Sequence, residues 1–303
     1  MLRDPQFQHI DVFPITGALG ADVRGVDLGT NPDENTFQEV RRALNTYHVL
    51  ALRDQKLTPA TYKRAAARFG PFCPNPVHAS MEGLEHIIRF VREPDDTGKV
   101  IGEDWHMDLA WLDRPPGITM LYGEVVPPVG ADTCFTSLSQ ACRALSPRMR
   151  ELLYGQKALH SGKGVFAINA IQARLALRSD AASAEETEVE HPIICAHPVT
   201  GEHYLFVSSV MRTVMGLSED ESRPIIQYLV QLATRPEFHC RVRWEPGTLT
   251  MWDNPCVMHT AINDYSGYRR VTYRTTIEGW VPMAAPQPAT PPNKARAAVG
   301  QPA

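Results

Sequence analysis

Residues 251–276 read MWDNPCVMHTAINDYSGYRRVTYRTT. An apolar, strand-like run leads into His259. Asp264-Tyr265-Ser266-Gly267 has the composition of a turn, and a second strand follows it. Side chains alternate along a strand, so Arg270, Thr272 and Arg274 share one face while Val271, Tyr273 and Thr275 share the other. Two arginines on one strand face ordinarily point to solvent. Here a threonine lies between them and the opposite face carries Val and Tyr, so parity alone does not choose the buried face. A histidine after an apolar run is, taken alone, most often a core residue.

A second stretch changes that weighting. WHMDLAW, Trp105 to Trp111, sets His106 and Asp108 two residues apart on a segment that reads as extended. On a strand these two side chains point the same way, whereas on a helix they diverge. Taken alone, an H-x-D is usually a surface histidine and a turn aspartate. With His259 added, two nitrogens and one carboxylate can hold a divalent metal on one side and leave three positions free. That arrangement suits non-haem Fe(II). Zinc-dependent hydrolysis is the competing chemistry, although structural zinc takes four protein ligands and no HExxH occurs.

Outward from these stretches, strands dominate. HVLALRD (48–54) reads as a buried strand, ITMLYGEVV (118–126) as another, and HPVTGEHYLFV (197–207) as a strand pair around Thr200-Gly201. Further short strands are expected over 10–30, 240–252 and 268–280. Phe37, Val40, Leu44 and Tyr47 recur at helical spacing and predict a helix over 33–47, and Thr58-Pro59 opens a second that ends at Gly70-Pro71. Ser139 or Ser146-Pro147 begins more helical sequence, and Ser218 with Glu221 forms a capping-box pattern before an amphipathic helix. The sum is mainly β with added helices, in the manner of a jelly roll. Residues 161–190 read as a long insertion or lid, and 284–303, rich in Pro and Ala, as a disordered tail.

The bulk properties narrow the function. The chain has 303 residues, 43% of them hydrophobic, so a sizeable core is available. Its 30 basic and 34 acidic residues leave a net charge of −4, which gives no electrostatic reason to expect nucleic acid or an anionic membrane. No apolar run is long enough for a membrane span. MLRDPQFQHIDVF lacks the apolar core of a signal peptide, so a cytoplasmic location is expected. The six cysteines form no C-x-x-C and read as reduced and mostly buried.

These stretches resemble the taurine dioxygenase family of Fe(II)/2-oxoglutarate-dependent dioxygenases. The resemblance runs from about residue 8 to 280. It is carried by GALGADVRGVDL (17–28), RFGP (68–71), the W-H-x-D segment, G-x-DT (130–133), HPxTG (197–201), LSEDES (217–222), WDN…H (252–259) and DY…RR…R (264–274). Within the family, GKVIGEDWHMD, RVRW and MHTAINDYSG are similar to the aryloxyalkanoate dioxygenases.

The resemblance implies a double-stranded β-helix (jelly roll, cupin-like) core and one catalytic domain over 1–283. It implies that His106, Asp108 and His259 bind Fe(II). Arg270, eleven residues after His259, then pairs with the distal carboxylate of 2-oxoglutarate, and Thr133 donates to the same group. Oxygen is consumed, and succinate and CO2 are released. Arg274 matches the position that holds the anionic group of the substrate. Asn75-Pro76-Val77 stands where taurine dioxygenase has a substrate-contacting histidine, which argues against taurine and makes Asn75 and Val77 pocket candidates. Met107, Trp111 and Phe166 are further ones. Asp108 favours hydroxylation over halogenation, and Trp252, Asp253 and Asn254 are expected to support the strand carrying His259. The expected partner is a small anionic substrate, and the resemblance implies a homo-oligomer. Hydroxylation beside an ether oxygen would cleave the ether. A biosynthetic hydroxylase or desaturase is the alternative, with a zinc hydrolase and an inactive binding protein as remoter readings.

Overall fold

A computed structural model describes residues 2–163 and 187–287 of the chain. Two sheets of different size face each other. The larger has seven strands in the order β1 (Asp11–Pro14), β2 (Ala21–Arg24), β3 (Val49–Leu52), β13 (Leu249–Asp253), β5 (Pro116–Val125), β15 (Arg270–Glu278) and β4 (Ile88–Arg92). All of its pairings are antiparallel except β2 with β3. The smaller sheet is β12 (His239–Val242), β6 (Thr133–Ser137) and β14 (Val257–Ala261).

The pleat sorts the larger sheet's side chains into two layers. Val49, Ala51 and Trp252 point toward the smaller sheet and pack with Phe135, Val242 and Val257. Leu50, Leu52, Met251, Tyr273 and Ile277 point the other way, under two helices. One is α1 (Glu34–Tyr47), capped by Asp33, which accepts from the Thr36 N–H. The other is α2 (Pro59–Ala67), which opens with a Thr58–Thr61 capping box. Both faces of the sheet are therefore covered. This is why parity could not assign the faces of β15: Val271 and Tyr273 are buried, and Thr272 with its flanking arginines faces an internal cavity.

The remaining described elements pack around the smaller sheet. α3 (Leu138–Ala144) and α4 (Pro147–Leu153) begin at Ser137 and Ser146, so the first starts two residues earlier than Ser139 suggests. α5 (Glu219–Ala233) has the Ser218–Glu221 capping box expected of it. β7 (Lys157–Ser161) lies between β8 (Glu188–Pro192) and β11 (Met211–Val214), and β9 (Ile194–Ala196) forms a hairpin with β10 (His203–Leu205). Both ends of the expected 161–190 insertion are thus strand, and residues 164–186 lie outside the described part. At the other end the chain stays tied down past Met283: Ala285 donates to the Ile194 carbonyl and is buried. Residues 288–303 of the expected tail lie outside the described part.

Candidate active site

The corner that decides the site is the short 3-10 turn Asn254–Cys256, which takes the chain from β13 in one sheet to β14 in the other. β14 delivers His259. Its other edge is met by His106, and two residues on by Gly102, whose carbonyl accepts from the Ala261 N–H at 2.7 Å. The two histidines exchange backbone hydrogen bonds, His106 N–H to the His259 carbonyl at 3.0 Å and the reverse at 2.8 Å. Their rings lie 4.1 Å apart.

The strand expected for WHMDLAW is only this one bridge. After it the chain turns, with Leu109 in the left-handed region at φ 49°. The reason is that both backbone groups of Asp108 are taken by one side chain instead of a neighbouring strand. Asp108 N–H donates to Oδ1 of Asn254 at 3.0 Å, and Nδ2 of Asn254 donates to the Asp108 carbonyl at 3.0 Å. The alternation nonetheless holds across His106 and Asp108. Oδ1 of Asp108 lies 3.7 Å from Nε2 of His106 and 3.8 Å from Nε2 of His259.

The donor atoms of His106 and Asp108 are each set by something specific, whereas Nδ1 of His259 has no hydrogen-bond partner among the described residues. Nδ1 of His106 donates to the Asp104 carbonyl at 2.7 Å, which leaves Nε2 with the lone pair. Gly102 presses on the same ring, and a Cβ there would meet Cε1 of His106 at 2.9 Å. Thr119 donates its hydroxyl to Oδ2 of Asp108 at 2.8 Å. Burial opposes a charge on Asp108, but the Arg274 guanidinium beside it, with the Thr119 hydrogen bond, outweighs that and holds the carboxyl well below its usual range. Burial, reinforced by His106, holds His259 well below the ordinary imidazole value, so its ring is neutral. A carboxylate and imidazoles with inward-facing lone pairs, all within 4.8 Å, fit a divalent metal.

Arg270 and Arg274 both line the cavity in front of this cluster, a space of about 620 Å³ that also takes in Thr133 and Thr272. Arg270 sits 5.4 Å from the Trp244 ring and 5.8 Å from that of Tyr265. Its Nε and Nη2 are buried and have no hydrogen-bond partner among the described residues. A buried guanidinium with idle donors fits a carboxylate arriving in the cavity. Thr133 accepts from Trp244 Nε1 at 3.0 Å, so its own hydroxyl proton is left to donate. Arg274 differs, since its Nη2 lies 2.6 Å from Oδ1 of Asp108.

The sequence profile described as "Taurine catabolism dioxygenase TauD, TfdA family" matches residues 11–276. The chain belongs to this family. It is 28% identical to an alkylsulfatase of Acinetobacter baylyi over 92% of this chain and 88% of that one. It is 26% identical to an (S)-phenoxypropionate/alpha-ketoglutarate-dioxygenase of Sphingobium herbicidovorans, over 89% and 95%. Among solved structures, a taurine dioxygenase from Burkholderia xenovorans superposes with a TM-score of 0.78 at 29% identity, covering 91% and 93% of the two chains. The protein is thus an Fe(II)- and 2-oxoglutarate-dependent dioxygenase with a jelly-roll core, consuming O2. The hydrolase and silent-binding readings fall away. No helix among the described residues is long and apolar enough to cross a membrane.

The dioxygenase has a second cavity, of about 360 Å³, that adjoins the first and shares His106 and Arg274 with it. Asn75, Val77, Met107 and Trp111 all line it. Asn75 is less free than the sequence suggests, because its Oδ1 accepts the N–H groups of Val77 and His78 at 2.9 and 2.8 Å. Phe166 lies outside the described residues. Sequence reasoning passed over Thr119, Gly102, Trp244, Tyr265 and His78. Trp244 in RVRW, Gly102 in GKVIGEDWHMD and Tyr265 in DY…RR…R stood in motifs without a role of their own, while Thr119 and His78 carry no local signal because their partners are remote in sequence.

Behind the site lies a buried charged cluster that anchors the Asn254 corner. Oδ2 of Asp253 is 3.1 Å from Nδ1 of His48 and 3.2 Å from Nε2 of His197. Nε2 of His48 reaches Glu202 at 3.0 Å, and Arg143 pairs with the same carboxylate. Burial pushes the Cys256 thiol up to about 12, so it stays neutral beside them. Burial opposes the charged form of His48, yet its neighbours lift it well above the ordinary imidazole value. With Cys256 a neutral thiol, Asp253 and Glu202 are the source of that lift.

Proposed function

We propose that His106, Asp108 and His259 hold Fe(II), through the two Nε2 atoms and the Asp108 carboxylate, and that the dioxygenase hydroxylates a small organic anion. One observation carries this reading: the three ligand atoms stand where two cavities meet, and one of those cavities contains a buried arginine with idle donors. When bound, the iron supplies activation of O2, coupled to decarboxylation of 2-oxoglutarate to succinate and CO2, with one oxygen atom entering a substrate C–H bond.

The chain's residues do the rest. Arg270 takes the distal carboxylate of 2-oxoglutarate with its guanidinium fork, and Thr133 donates its hydroxyl to the same group. Trp244 and Tyr265 keep that guanidinium in place with their rings. Thr119 and Asn254 fix the Asp108 carboxylate and its backbone. The smaller cavity takes the primary substrate. There Arg274 supplies the countercharge for its anionic group, Val77 is part of the apolar wall, and Asn75 shapes the turn. The full guanidinium–carboxylate contact of Arg274 with Asp108 is then shared with the incoming anion.

Where the hydroxylated carbon bears an ether oxygen the product is a hemiacetal, and where it bears a sulfate-ester oxygen it is the corresponding hydroxyalkyl sulfate. Its C–O bond breaks, the leaving oxygen takes the hydroxyl proton, and a carbonyl remains. Cleavage of an aryloxy acid or a sulfate ester follows from one hydroxylation. The alternative is a hydroxylase or desaturase of a natural-product acid.

Anaerobic titration of the protein with Fe(II) and 2-oxoglutarate tests the site. A weak visible charge-transfer band is the expected result, lost in Asp108→Ala. Its absence from folded, metal-loaded protein would overturn the assignment. Succinate release screened over aryloxy acids, alkyl sulfates, sulfonates and natural-product acids then separates the substrate classes.

A further inference from the structure

The smaller cavity contains a polar group that neither the metal nor 2-oxoglutarate requires. His78 follows the Asn75 turn, whose two hydrogen bonds to the Val77 and His78 N–H groups fix where its side chain begins. The residue is only 6% exposed. Its ring packs edge-on against Phe90, with centroids 5.2 Å apart and planes at 84°, and it lines the cavity together with Arg274. Neither ring nitrogen has a hydrogen-bond partner among the described residues. Buried imidazoles normally have one. Phe90 presents only hydrocarbon, so a partner for the ring is to be sought in what enters the cavity.

The ring is uncharged. Burial, and then the nearby Arg274 cation, push it down to about 4. At neutral pH it offers one N–H and one lone pair, and no charge. Arg274 is therefore the group for the substrate's anion, and His78 is suited to an uncharged polar atom beside it. An ether or ester oxygen accepts an N–H and needs to donate nothing. A methylene in the same place would leave both ring nitrogens idle.

We propose that His78 is a specificity-determining residue that donates a hydrogen bond to an ether or ester oxygen of the substrate, next to the anionic group held by Arg274. The substrate class is then an organic anion with such an oxygen close to its anionic group, as opposed to a plain alkanoate or alkanesulfonate. This rests on the proposed function, since it takes the smaller cavity to be the primary-substrate chamber.

The test uses isosteres in which oxygen and methylene exchange: phenoxyacetate against 3-phenylpropionate, and hexyl sulfate against heptane-1-sulfonate. Dissociation constants are read anaerobically, from the perturbation of the charge-transfer band of protein loaded with Fe(II) and 2-oxoglutarate. The wild type is expected to bind at least one oxygen-bearing compound about tenfold more tightly than its methylene partner. His78→Leu is expected to bring that ratio close to one by weakening the oxygen-bearing compound, and His78→Gln, which keeps a donor, to restore part of it. Both variants are first checked for the band itself, so an unfolded protein is not mistaken for a result.

A ratio unchanged in His78→Leu would overturn the proposal. So would a wild type that shows no preference within either pair, or that binds none of the four. Failure of the underlying reading looks different, because the band is then missing from the wild type before any of these compounds is added.

Discussion

Nη2 of Arg274 lies 2.6 Å from Oδ1 of Asp108, the oxygen that also faces both imidazoles. Both side chains are nearly shut off from solvent, at 11% and 3% exposure. A carboxylate so placed depends on its countercharge. Arg274→Ala in metal-free protein is expected to lose about 3–5 kcal/mol of stability, the usual consequence of stranding a buried charge. Mn(II), a redox-inert divalent ion, replaces the missing cation, so most of that loss is expected to be regained in its presence. Urea unfolding with and without Mn(II) measures both. An identical loss in the two states would refute the dependence.

Arg270 has no ion-pair partner among the described residues, its Nε and Nη2 are idle, and the residue lines the larger cavity. Arg270→Ala is expected to raise the KM for 2-oxoglutarate by on the order of 30-fold or more, the equivalent of about 2 kcal/mol or above. Arg274→Ala is expected to weaken the primary substrate more than 2-oxoglutarate. Succinate release measured against each ligand in turn checks the division, and matching effects on 2-oxoglutarate from both variants would refute it.

Gly102 is held at φ 77°, a conformation that costs any other residue, and its α-carbon faces the His106 ring. Gly102→Ala is expected to push that ring off its position. The fold is expected to survive with a loss of roughly 1–3 kcal/mol, while metal affinity falls about 10–100-fold. Competition with a chelator, alongside thermal unfolding, separates the two effects. Unaltered metal affinity would show that the ring has room to yield.

The His48–Glu202 contact makes stability depend on pH in a definite window. His48 is raised in the folded state, so its contribution is complete below about 6.5 and is lost as pH climbs through its folded value. Glu202 is held down to about 2 by the hydrogen bond from His48, so its contribution is complete above about 4.5 and is lost as pH falls toward 2. The pair is therefore worth most between about pH 4.5 and 6.5. Glu202→Gln is expected to cost about 1–3 kcal/mol at pH 6 and progressively less below pH 4.5. Urea midpoints across that range give the answer, and a difference that stays flat down to pH 2.5 would contradict it.

Much of this was legible in the residues. α1, α2 and α5 announce themselves through spacing and caps. The β9–β10 hairpin follows from Thr200-Gly201. His106, Asp108 and His259 do converge, as their types and parity suggested. What stayed hidden depends on contacts between distant segments. Nothing near Asn254 says that its amide closes on Asp108, and nothing near Gly102 says that a ring lies against it. The strand expected at 105–111 fails for the same reason, since one remote side chain takes the backbone groups that a neighbouring strand would have used. The buried face of β15 was unreadable because helices cover one side and the cavity opens on the other.

The backbone bridge between His106 and His259 has an evolutionary reading. The spacing of the two imidazoles is set by a pair of peptide hydrogen bonds, so the length of chain joining them has no say in it. Insertions and deletions in the loops of that long interval can remodel the surrounding walls while the spacing of the two imidazoles stays as it was. If the two imidazoles hold iron as proposed, such a scaffold can diversify in what it oxidises without relearning how to hold its metal.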